Sequence, residues 1–381
     1  MTTVTVLIPA HNEGPEIAET VRACLEQPHP VFEVLVVADS CTDDTAAYAR
    51  AAGATVHETQ HQDKASNQNE VLPAIHTDVI IGFDGDTLPT PDCIRLMLAD
   101  IDAGYDATCA TILPRQESGF FIRARRFSYS MGRRWWRLCQ AKVGRMQVLT
   151  GAAYAFRTEA IKAVGGFPSG LTSADMDATW ALHKAGYRVG YTPKAVALTQ
   201  DPETFTEYRA QMRRWAAGYF QNMAKYRRQL LNWRSMLVVG TAIFDLVSLF
   251  WAYGLLAFWL ATGHGQALVQ TYAAWMGLHL VVNVVLVSTV VGVKQAILGL
   301  PPWIVVNLYN RWLYLAALGR EWILGRHYAS WTGRHGFATE ITPMSRRRKA
   351  VFTLGISLLF DRPERGRYRA QPRHKLATAS T

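Results

Sequence analysis

The chain has 381 residues, of which 49% are hydrophobic and 18% are charged. Because an average soluble domain has roughly 25% charged residues, this composition excludes disorder over the whole length and predicts that part of the chain contacts lipid. Forty Lys and Arg against 30 Asp and Glu give a net charge of +10, which suits an anionic membrane surface, a nucleotide diphosphate or nucleic acid.

Five cysteines lie far apart in the sequence, without a Cys-x-x-Cys pair. This spacing excludes a disulfide framework and a zinc site, and it fits a reducing cytosol. A strand-like run begins at residue 4, with no signal-like segment before it. We therefore expect the first domain to stay in the cytoplasm.

Residues 4 to about 115 alternate between strand-like and helical runs. The strand-like runs lie at 4–9, 32–38, 54–57, 79–83 and 107–113. The helical runs lie near 14–26, 43–52, 64–76 and 91–103. This alternation predicts an α/β domain with a mostly parallel sheet and helices on both faces. Ligands of such sheets bind beyond the carboxyl ends of the strands.

Polar clusters follow three of the predicted strands. They are His11, Asn12 and Glu13 after the first strand, Asp39 after the second, and Asp84 and Asp86 after the run at 79–83. Two carboxylates one residue apart can bind a divalent ion that also bridges a diphosphate. Asp-Gly also forms ordinary turns, so the pair alone is weak. Its place beside other polar strand ends favours a ligand site.

A basic and aromatic stretch over 119–147 contains no acidic residue. One interpretation is a solvated helix face, and a second is a helix lying on an anionic membrane surface. Nucleic-acid binding is a weaker third interpretation, because no nucleic-acid motif accompanies the charge. We therefore expect no nucleic-acid partner.

Two later motifs could carry chemistry. Asp175 and Asp177 open a predicted helix, where one of them could simply cap the first turn. The helix N-terminus would equally keep a carboxylate ionised, as a general base requires. Arg214 and Trp215, on a predicted amphipathic helix at 203–233, could bind a phosphate and stack on a sugar ring. The structural alternative is a basic helix face near a membrane.

Long apolar runs at 235–262 and 267–292 have the length that a bilayer requires. The run at 296–324 is ambiguous, because two prolines interrupt it and its polar residues share one helix face. They are Asn307, Asn310, Arg311, Tyr314 and Glu321. The Arg-rich tail should stay cytoplasmic, so an even number of crossings is expected. This favours two spans plus an interfacial helix over three spans.

Taken in order, these motifs resemble family 2 of the inverting glycosyltransferases, which have the GT-A fold. The resemblance rests on segments distributed over residues 4–233. They are Pro9-Ala-His-Asn-Glu13, Val36-Val-Ala-Asp39, Lys64-Ala-Ser-Asn-Gln-Asn69, Asp84-Gly-Asp86, Gly151-Ala-Ala-Tyr-Ala-Phe-Arg157, Val164-Gly-Gly-Phe167, Ala174-Asp-Met-Asp177 and Gln211-x-x-Arg-Trp215. The branch with this last motif and carboxy-terminal membrane helices includes cellulose, chitin, hyaluronan and poly-N-acetylglucosamine synthases.

The resemblance implies a role for each matching residue. Donor-binding residues would be Pro9, Asn12, Glu13, Asp39, Lys64, Asp84 and Arg214. The D-x-D pair Asp84 and Asp86 would hold Mn²⁺ or Mg²⁺, and Asp175 would be the catalytic base. Gln211, Trp215 and Asp177 would contact the acceptor. The donor would be a nucleotide-sugar, with UDP expected, and the acceptor a polysaccharide or glycolipid.

The chain departs from the family pattern at Ala174, where the family has Glu, and in having no membrane helix before the catalytic domain. The first departure keeps open a catalytically silent nucleotide-sugar scaffold. The second makes processive export by a single copy doubtful. A polyprenyl-phosphate or protein acceptor and a homo-oligomer also remain open.

The predicted organisation has four parts. They are a GT-A catalytic domain over 1–200, an amphipathic interfacial helix over 201–234, a transmembrane region over 235–325 and a basic tail over 326–381. We accordingly expect a multi-pass protein of the cytoplasmic membrane, with the lipid bilayer as a partner and its catalytic domain on the cytoplasmic side.

Overall fold

The computed structural model describes residues 2–29, 31–263, 265–329 and 340–343. Its strands are β1 (Val4–Ala10), β2 (Glu33–Asp39), β3 (Thr55–Thr59), β4 (Val79–Phe83), β5 (Leu88–Pro89), β6 (Ala107–Pro114), β7 (Ala153–Arg157), β8 (Thr192–Thr199), β9 (Arg326–Ala329) and β10 (Glu340–Pro343). Its first helices are α1 (Glu16–Leu25), α2 (Thr45–Ala51), α3 (Lys64–Val71), α4 (Cys93–Asp102), α5 (Phe120–Met131), α6 (Arg137–Val143), α7 (Thr158–Ala163) and α8 (Ala174–Ala185). They are followed by α9 (Phe205–Lys225), α10 (Trp233–Ala261), α11 (Gly265–Val291) and α12 (Val293–Leu318).

The main sheet has the order β3-β2-β1-β4-β7-β6-β8-β5. Strands β1 to β4 pair in parallel, and β6 pairs in parallel with β8. Strand β7 runs antiparallel to both β4 and β6, and β5 is antiparallel to β8. The expected α/β domain is confirmed, but the sheet is mixed because β7, which the sequence pattern did not reveal, is inserted in its middle.

The two faces of the sheet are covered by different helices. Along β1, Val4, Val6 and Ile8 point to one face, which α1 and α4 cover. Leu7 points to the other face, which α3, α7 and α8 cover. This alternation follows from the two-residue period of a strand. The hydrophobic core therefore fixes the register of β1, and with it the position of the loop that follows.

Helix α9 passes along the catalytic domain and contacts the loop before α8. Its Thr204 accepts a hydrogen bond from the Glu207 amide, and Glu207 caps Thr204 in return. Such a capping box defines where a helix begins. The helix ends at Lys225, earlier than the predicted 233, and a short turn at Arg227–Leu231 separates it from α10.

Three long helices follow α9 in the predicted membrane region. Within the residues described, the segment Val269–Val291 of α11 is long and apolar enough to cross a membrane, judged by length and composition. A shorter apolar stretch covers Trp233–Phe244 in α10. The predicted spans 235–262 and 267–292 thus coincide with two helices, of which one meets this test. A two-span topology stays a prediction.

Helix α12 continues through Pro301 and Pro302, and it packs against α5 and α9. Its polar face points to the catalytic domain, since the Tyr208 hydroxyl donates to Asn310 at 2.9 Å. Beyond the helix, Glu321 is buried and accepts from Gln221 at 3.2 Å. Of the predicted basic tail over 326–381, only the hairpin of β9 and β10 is described, and the rest lies outside the described residues.

Gly218 allows the close approach of α9 to the loop before α8. A methyl group at this position would lie 2.4 Å from Cβ of Ser173 and 2.9 Å from its backbone nitrogen. We expect Gly218→Ala to destabilise the protein by about 1–3 kcal/mol, because the backbone would have to move. The melting temperature in detergent measures this loss. Gly240→Ala is the control, because a methyl group there meets no atom within 4 Å, and an unchanged Gly218→Ala protein would contradict the packing.

Candidate active site

The loops after β1 and β2 adopt unusual backbone conformations. Asn12 and Ser40 have φ values of 54° and 51°, a region that residues other than glycine rarely occupy and that often marks functional sites. Asn12 Oδ1 accepts from the amide of Thr42 at 2.8 Å. The amide of Glu13 donates to Thr45 Oγ1 at 2.9 Å. The two loops therefore hold each other in place.

Asp39 ends β2, which pairs with β1 where Pro9 lies opposite Val37. Its side chain is buried, and Oδ1 accepts from the amide of His61 at 2.8 Å and from Ser40 Oγ at 3.1 Å. Burial alone would raise the pKa of Asp39, but hydrogen bonds lower it below its ordinary value. Oδ2 has no hydrogen-bond partner among the described residues. The side chain of Asp39 therefore keeps one buried acceptor oxygen without a partner among the described residues.

Lys64 connects the strand ends to the second half of the site. It is the first residue of α3. Its ammonium forms an ion pair with Asp84 Oδ1 and also donates to the carbonyl of Gly151 at 3.2 Å. The amide of Gly151 in turn donates to Asp175 Oδ2 at 3.3 Å. A continuous series of polar contacts therefore joins Asp84 to Asp175.

Asp86 is held by two hydroxyl groups beside the sheet. Its Oδ1 accepts from Thr87 at 3.1 Å and from Thr199 at 3.2 Å. Gly85, between the two aspartates, packs so closely on Glu13 that a methyl group would lie 2.7 Å from Glu13 Cγ. This close contact explains why the residue between the two carboxylates is glycine. It also shows that Glu13 packs against the D-x-D turn.

Asp84 and Asp86 fit the binding of Mg²⁺ or Mn²⁺ by the chemistry of their donor atoms. Both ions prefer carboxylate oxygens, and Mg²⁺ is often bound by one or two carboxylates together with substrate phosphates. The ammonium of Lys64 forms an ion pair with Asp84 and adds a positive charge beside this carboxylate. We infer only that these residues would hold such an ion.

Asp175 is the second residue of α8 and is half-buried. Its Oδ1 accepts from Ser173 Oγ at 3.1 Å and from the amide of Met176 at 2.9 Å. The helix N-terminus favours a negative charge at this position. An ionised carboxylate, fixed in orientation and still partly exposed, can accept a proton from a bound hydroxyl group.

Asp177 has a different environment from Asp175. Its side chain is fully buried, and both oxygens accept from the Lys225 ammonium at 2.6 and 2.7 Å. The hydroxyl of Tyr226 donates to the same carboxylate. This ion pair fastens the end of α9 to α8. The placement does not support the prediction that Asp177 contacts an acceptor, since a ligand would have to displace Lys225.

Gln211 and Trp215 lie on α9 and are both in contact with Arg125 of α5. The Arg125 guanidinium donates to Gln211 Oε1 and lies 4.6 Å from the centre of the Trp215 ring. Arg125 is buried, and its Nε is 3.8 Å from the buried Asp201. Because an Arg over an aromatic face is stabilising, Arg125 fixes the orientation of both motif residues.

Arg214 lies between these two residues in the sequence and is half-buried. Its backbone carbonyl accepts from Thr172 Oγ1 at 3.3 Å, in the loop that leads to Asp175. The motif helix therefore contacts the loop that carries the candidate base.

A cavity of about 200 Å³ lies beside Trp215, between α5, α9 and α12. Its lining includes Arg125, Tyr129, Asn307 and Tyr314. Polar groups of α12 thus face this cavity. A cavity of mixed aromatic and polar character is of the kind that binds small ligands.

The sequence analysis did not predict the roles of Arg125 and Gly151 in the candidate site, or of Lys225 as the partner of Asp177. Arg125 lies in the basic stretch over 119–147, whose charge predicted a position on the protein surface. The one available signal was Tyr129, four residues later on the same helix face, whose ring lies 5.6 Å from the Arg125 guanidinium. Lys225 lies in a basic run at the end of the predicted helix, and the sequence does not indicate that it pairs with Asp177.

A model of the family described as "Glycosyltransferase like family 2" matches residues 2–218. The chain is 26% identical over 287 residues to a probable glycosyltransferase, YdaM, of Bacillus subtilis (strain 168), covering 67% of this chain and 63% of YdaM. It is 21% identical over 258 residues to the poly-beta-1,6-N-acetyl-D-glucosamine synthase of Staphylococcus epidermidis, covering 66% and 62%. The matched regions are thus somewhat less than two thirds of these relatives' length.

The fold is similar to that of a solved structure, the mannosyltransferase PcManGT from Pyrobaculum calidifontis in complex with GDP-Man and Mn²⁺. The TM-score is 0.54 at 22% sequence identity, and the match covers 81% of this chain and 87% of that one. At this identity the likeness shows the fold alone. The expected GT-A fold is thereby confirmed.

The Asp177–Lys225 pair predicts a stability effect that a ligand-binding role would not produce. Lys225→Met leaves a buried carboxylate without its cation, and we expect a loss of about 3 kcal/mol. The double variant Asp177→Asn/Lys225→Met should recover most of this loss. Melting temperatures in detergent test both statements. If Lys225→Met melted like the parent protein, the anchoring role of Asp177 would be wrong.

Proposed function

Since the chain belongs to the glycosyltransferase like family 2 and is a glycosyltransferase, we propose that it transfers a sugar from a UDP-sugar to a hydroxyl of a polysaccharide or glycolipid, with inversion at the anomeric carbon. The observation that carries this proposal is the continuous contact from Asp84 through Lys64 and Gly151 to Asp175. It supports the proposal because Asp84, which would help to bind the diphosphate, and Asp175, the candidate base, are joined by one series of polar contacts.

The donor would bind along the strand ends. Asp39, whose Oδ2 is buried and has no hydrogen-bond partner among the described residues, would accept an N–H of the base. Pro9, Asn12 and Glu13 would line the nucleoside pocket. Lys64 would lie near the phosphates. Both uracil and guanine carry a suitable N–H group, so the choice of UDP rests on the family resemblance and needs a direct test.

The reaction would be a single displacement. Asp175 would remove the proton of the acceptor hydroxyl, whose oxygen attacks the anomeric carbon. The bond from that carbon to the diphosphate breaks, and its electron pair leaves with the diphosphate. Positive charge develops on the sugar ring, as in glycoside hydrolysis. Arg214 would stabilise the leaving diphosphate by its charge.

A divalent ion held by Asp84 and Asp86 would neutralise part of the diphosphate charge. Gln211 and Trp215 would hold the acceptor near Asp175, and Arg125 would keep both in position. The named relatives that make poly-beta-1,6-N-acetyl-D-glucosamine support a polysaccharide or related glycolipid as the acceptor. The alternative acceptor is a polyprenyl-phosphate or a protein.

We also propose that the enzyme is anchored in the cytoplasmic membrane by α10 and α11, with its catalytic domain on the cytoplasmic side. The apolar segment Val269–Val291 supports one crossing. The second crossing would be α10, whose apolar stretch Trp233–Phe244 is by itself shorter than a bilayer requires. Two crossings would return the chain to the side of the catalytic domain.

A donor screen tests the function as a whole. The full chain in detergent, with Mn²⁺ or Mg²⁺, is offered a panel of UDP- and GDP-sugars, and release of the nucleoside diphosphate is measured. Release from one UDP-sugar is expected. Release only from a GDP-sugar would overturn the choice of nucleotide, and the absence of both release and nucleotide binding would overturn the proposal.

Asp175→Asn should lower transfer by about 100- to 10,000-fold, the range for loss of a general base. Binding of UDP should change little, because the amide keeps the size and one acceptor oxygen, and because Asp175 is not among the residues that would bind the donor. Turnover and UDP titration of the purified variant measure the two effects. Asp92→Asn, an exposed ion-paired position, is the control. Near-parental turnover of Asp175→Asn would exclude Asp175 as the base.

Removal of the divalent ion should weaken donor binding. We expect EDTA, or Asp86→Ala, to reduce UDP affinity at least about tenfold, because the diphosphate charge would lose its main counter-charge. Calorimetric titration with UDP before and after adding back Mn²⁺ measures the change. Mn²⁺ should restore affinity to the EDTA-treated parent and not to the variant. Equal affinity with and without metal would refute the predicted metal site.

A further inference from the structure

A group of exposed or half-buried cations and exposed aromatic rings lies where the catalytic domain meets the long helices. We call it the junction face, and it comprises Arg133, Arg134, Trp135, Trp136, Arg145 and Arg234. The first four form a π-helical turn between α5 and α6. Turns of this kind are rare and are frequent at functional sites.

Two contacts place the junction face beside the ends of the apolar segments. The guanidinium of Arg134 donates to the carbonyl of Thr289 at 3.1 Å, two residues before the end of Val269–Val291. At the other end of the face, a methyl group on Gly144 would lie 3.6 Å from the guanidinium of Arg234. Arg234 belongs to the first turn of α10. The face therefore marks the level at which α10 begins and α11 ends.

Among the residues that the structure describes, the cations of this face have no acidic partner. The ion pairs found among the described residues include neither Arg133, Arg134, Arg145 nor Arg234, and the sequence has no acid between 119 and 147. Partial burial, with a contribution from neighbouring Arg234, lowers the pKa of Arg145. Cations that repel one another without a counter-charge favour an anionic ligand.

The aromatic residues of the face are exposed to an unusual degree. Trp135 and Trp136 are 50% and 44% exposed, and Trp233 beside Arg234 is 64% exposed. Trp is enriched at membrane–water interfaces, because its ring is apolar and its N–H is polar. Exposed Trp interleaved with Arg therefore suits the headgroup region of a bilayer.

We infer that the junction face binds the headgroups of anionic phospholipids in the leaflet next to the catalytic domain. This inference rests on the membrane attachment proposed above and adds a lipid selectivity to it. Exposed Trp can also stack on nucleic-acid bases. The position at the ends of the apolar helices favours lipid, since a long nucleic acid there would compete with the bilayer for the same surface.

Cys139 provides a reporter on this face. It is exposed on α6, three residues after Trp136 and three before Lys142, and residues three apart share a helix face. Cys24, Cys93 and Cys109 are buried. With Cys41→Ser in the background, Cys139 can be labelled selectively with a fluorophore in the full chain.

The experiment measures energy transfer from labelled Cys139 to a trace lipid in nanodiscs of phosphatidylcholine with phosphatidylglycerol. The trace lipid is either labelled phosphatidylglycerol or labelled phosphatidylcholine. We expect the anionic lipid to be enriched at least about fivefold near Cys139 at low salt, which corresponds to one cation near the surface. High salt should reduce the enrichment.

The triple variant Arg133→Gln/Arg134→Gln/Arg145→Gln should reduce the enrichment at least several-fold, because Arg234 is then the one cation left on the face. The matched control Arg22→Gln/Arg50→Gln/Arg95→Gln removes the same charge from exposed positions on α1, α2 and α4 and should keep the selectivity. Melting temperature and UDP binding verify that both variants are folded.

Equal enrichment of both lipids around the parent protein would overturn the lipid inference, while the membrane attachment would stand. A protein that alkaline carbonate washes off the membrane would overturn the attachment itself. Displacement of the labelled lipid by an oligonucleotide would identify the face as a nucleic-acid site and would also refute the inference.

Discussion

The contact of Gly151 with both Lys64 and Asp175 is the interaction on which the rest of the site depends. Its carbonyl accepts from Lys64, and its amide donates to Asp175. The backbone of Gly151 can contact both partners only if it approaches each of them closely. Glycine allows this approach, because a methyl group at this position would lie 3.2 Å from Asp175 Oδ2. Strand β7, which starts two residues later, fixes this position in the sheet. The antiparallel insertion of β7 is therefore what joins the two halves of the site.

Much of the first half of the fold was predictable from the sequence. The runs at 4–9, 32–38 and 79–83 correspond to β1, β2 and β4 within one or two residues. Their apolar residues are buried in the core on the two faces of the sheet. Asp39 and Asp84 followed at the expected edge, because the carboxyl ends of parallel strands meet there. Local pattern sufficed for these elements.

The second half was less predictable, for a physical reason. Strand β7 is short (Ala153–Arg157), and it pairs with β4 and β6, which lie far away in the sequence. Asp175 and Asp177 illustrate the same limit. They are two residues apart at one helix start, yet one faces the site and the other is buried against Lys225. Helix geometry separates them by about 200°, but no local signal shows which one faces the core.

Arg125 shows how the long carboxy-terminal helices and the candidate active site are coupled. It is a buried cation with contacts to Asp201 and Gln211 and to the ring of Trp215. A buried charge is costly unless its partners are fixed, so α5, α9 and the segment after β8 must keep their mutual positions. Helix α12 closes this cluster through the bond of Tyr208 to Asn310. A shift of α12 relative to the catalytic domain would therefore disturb Trp215, and the orientation of the acceptor motif depends on how the long helices pack.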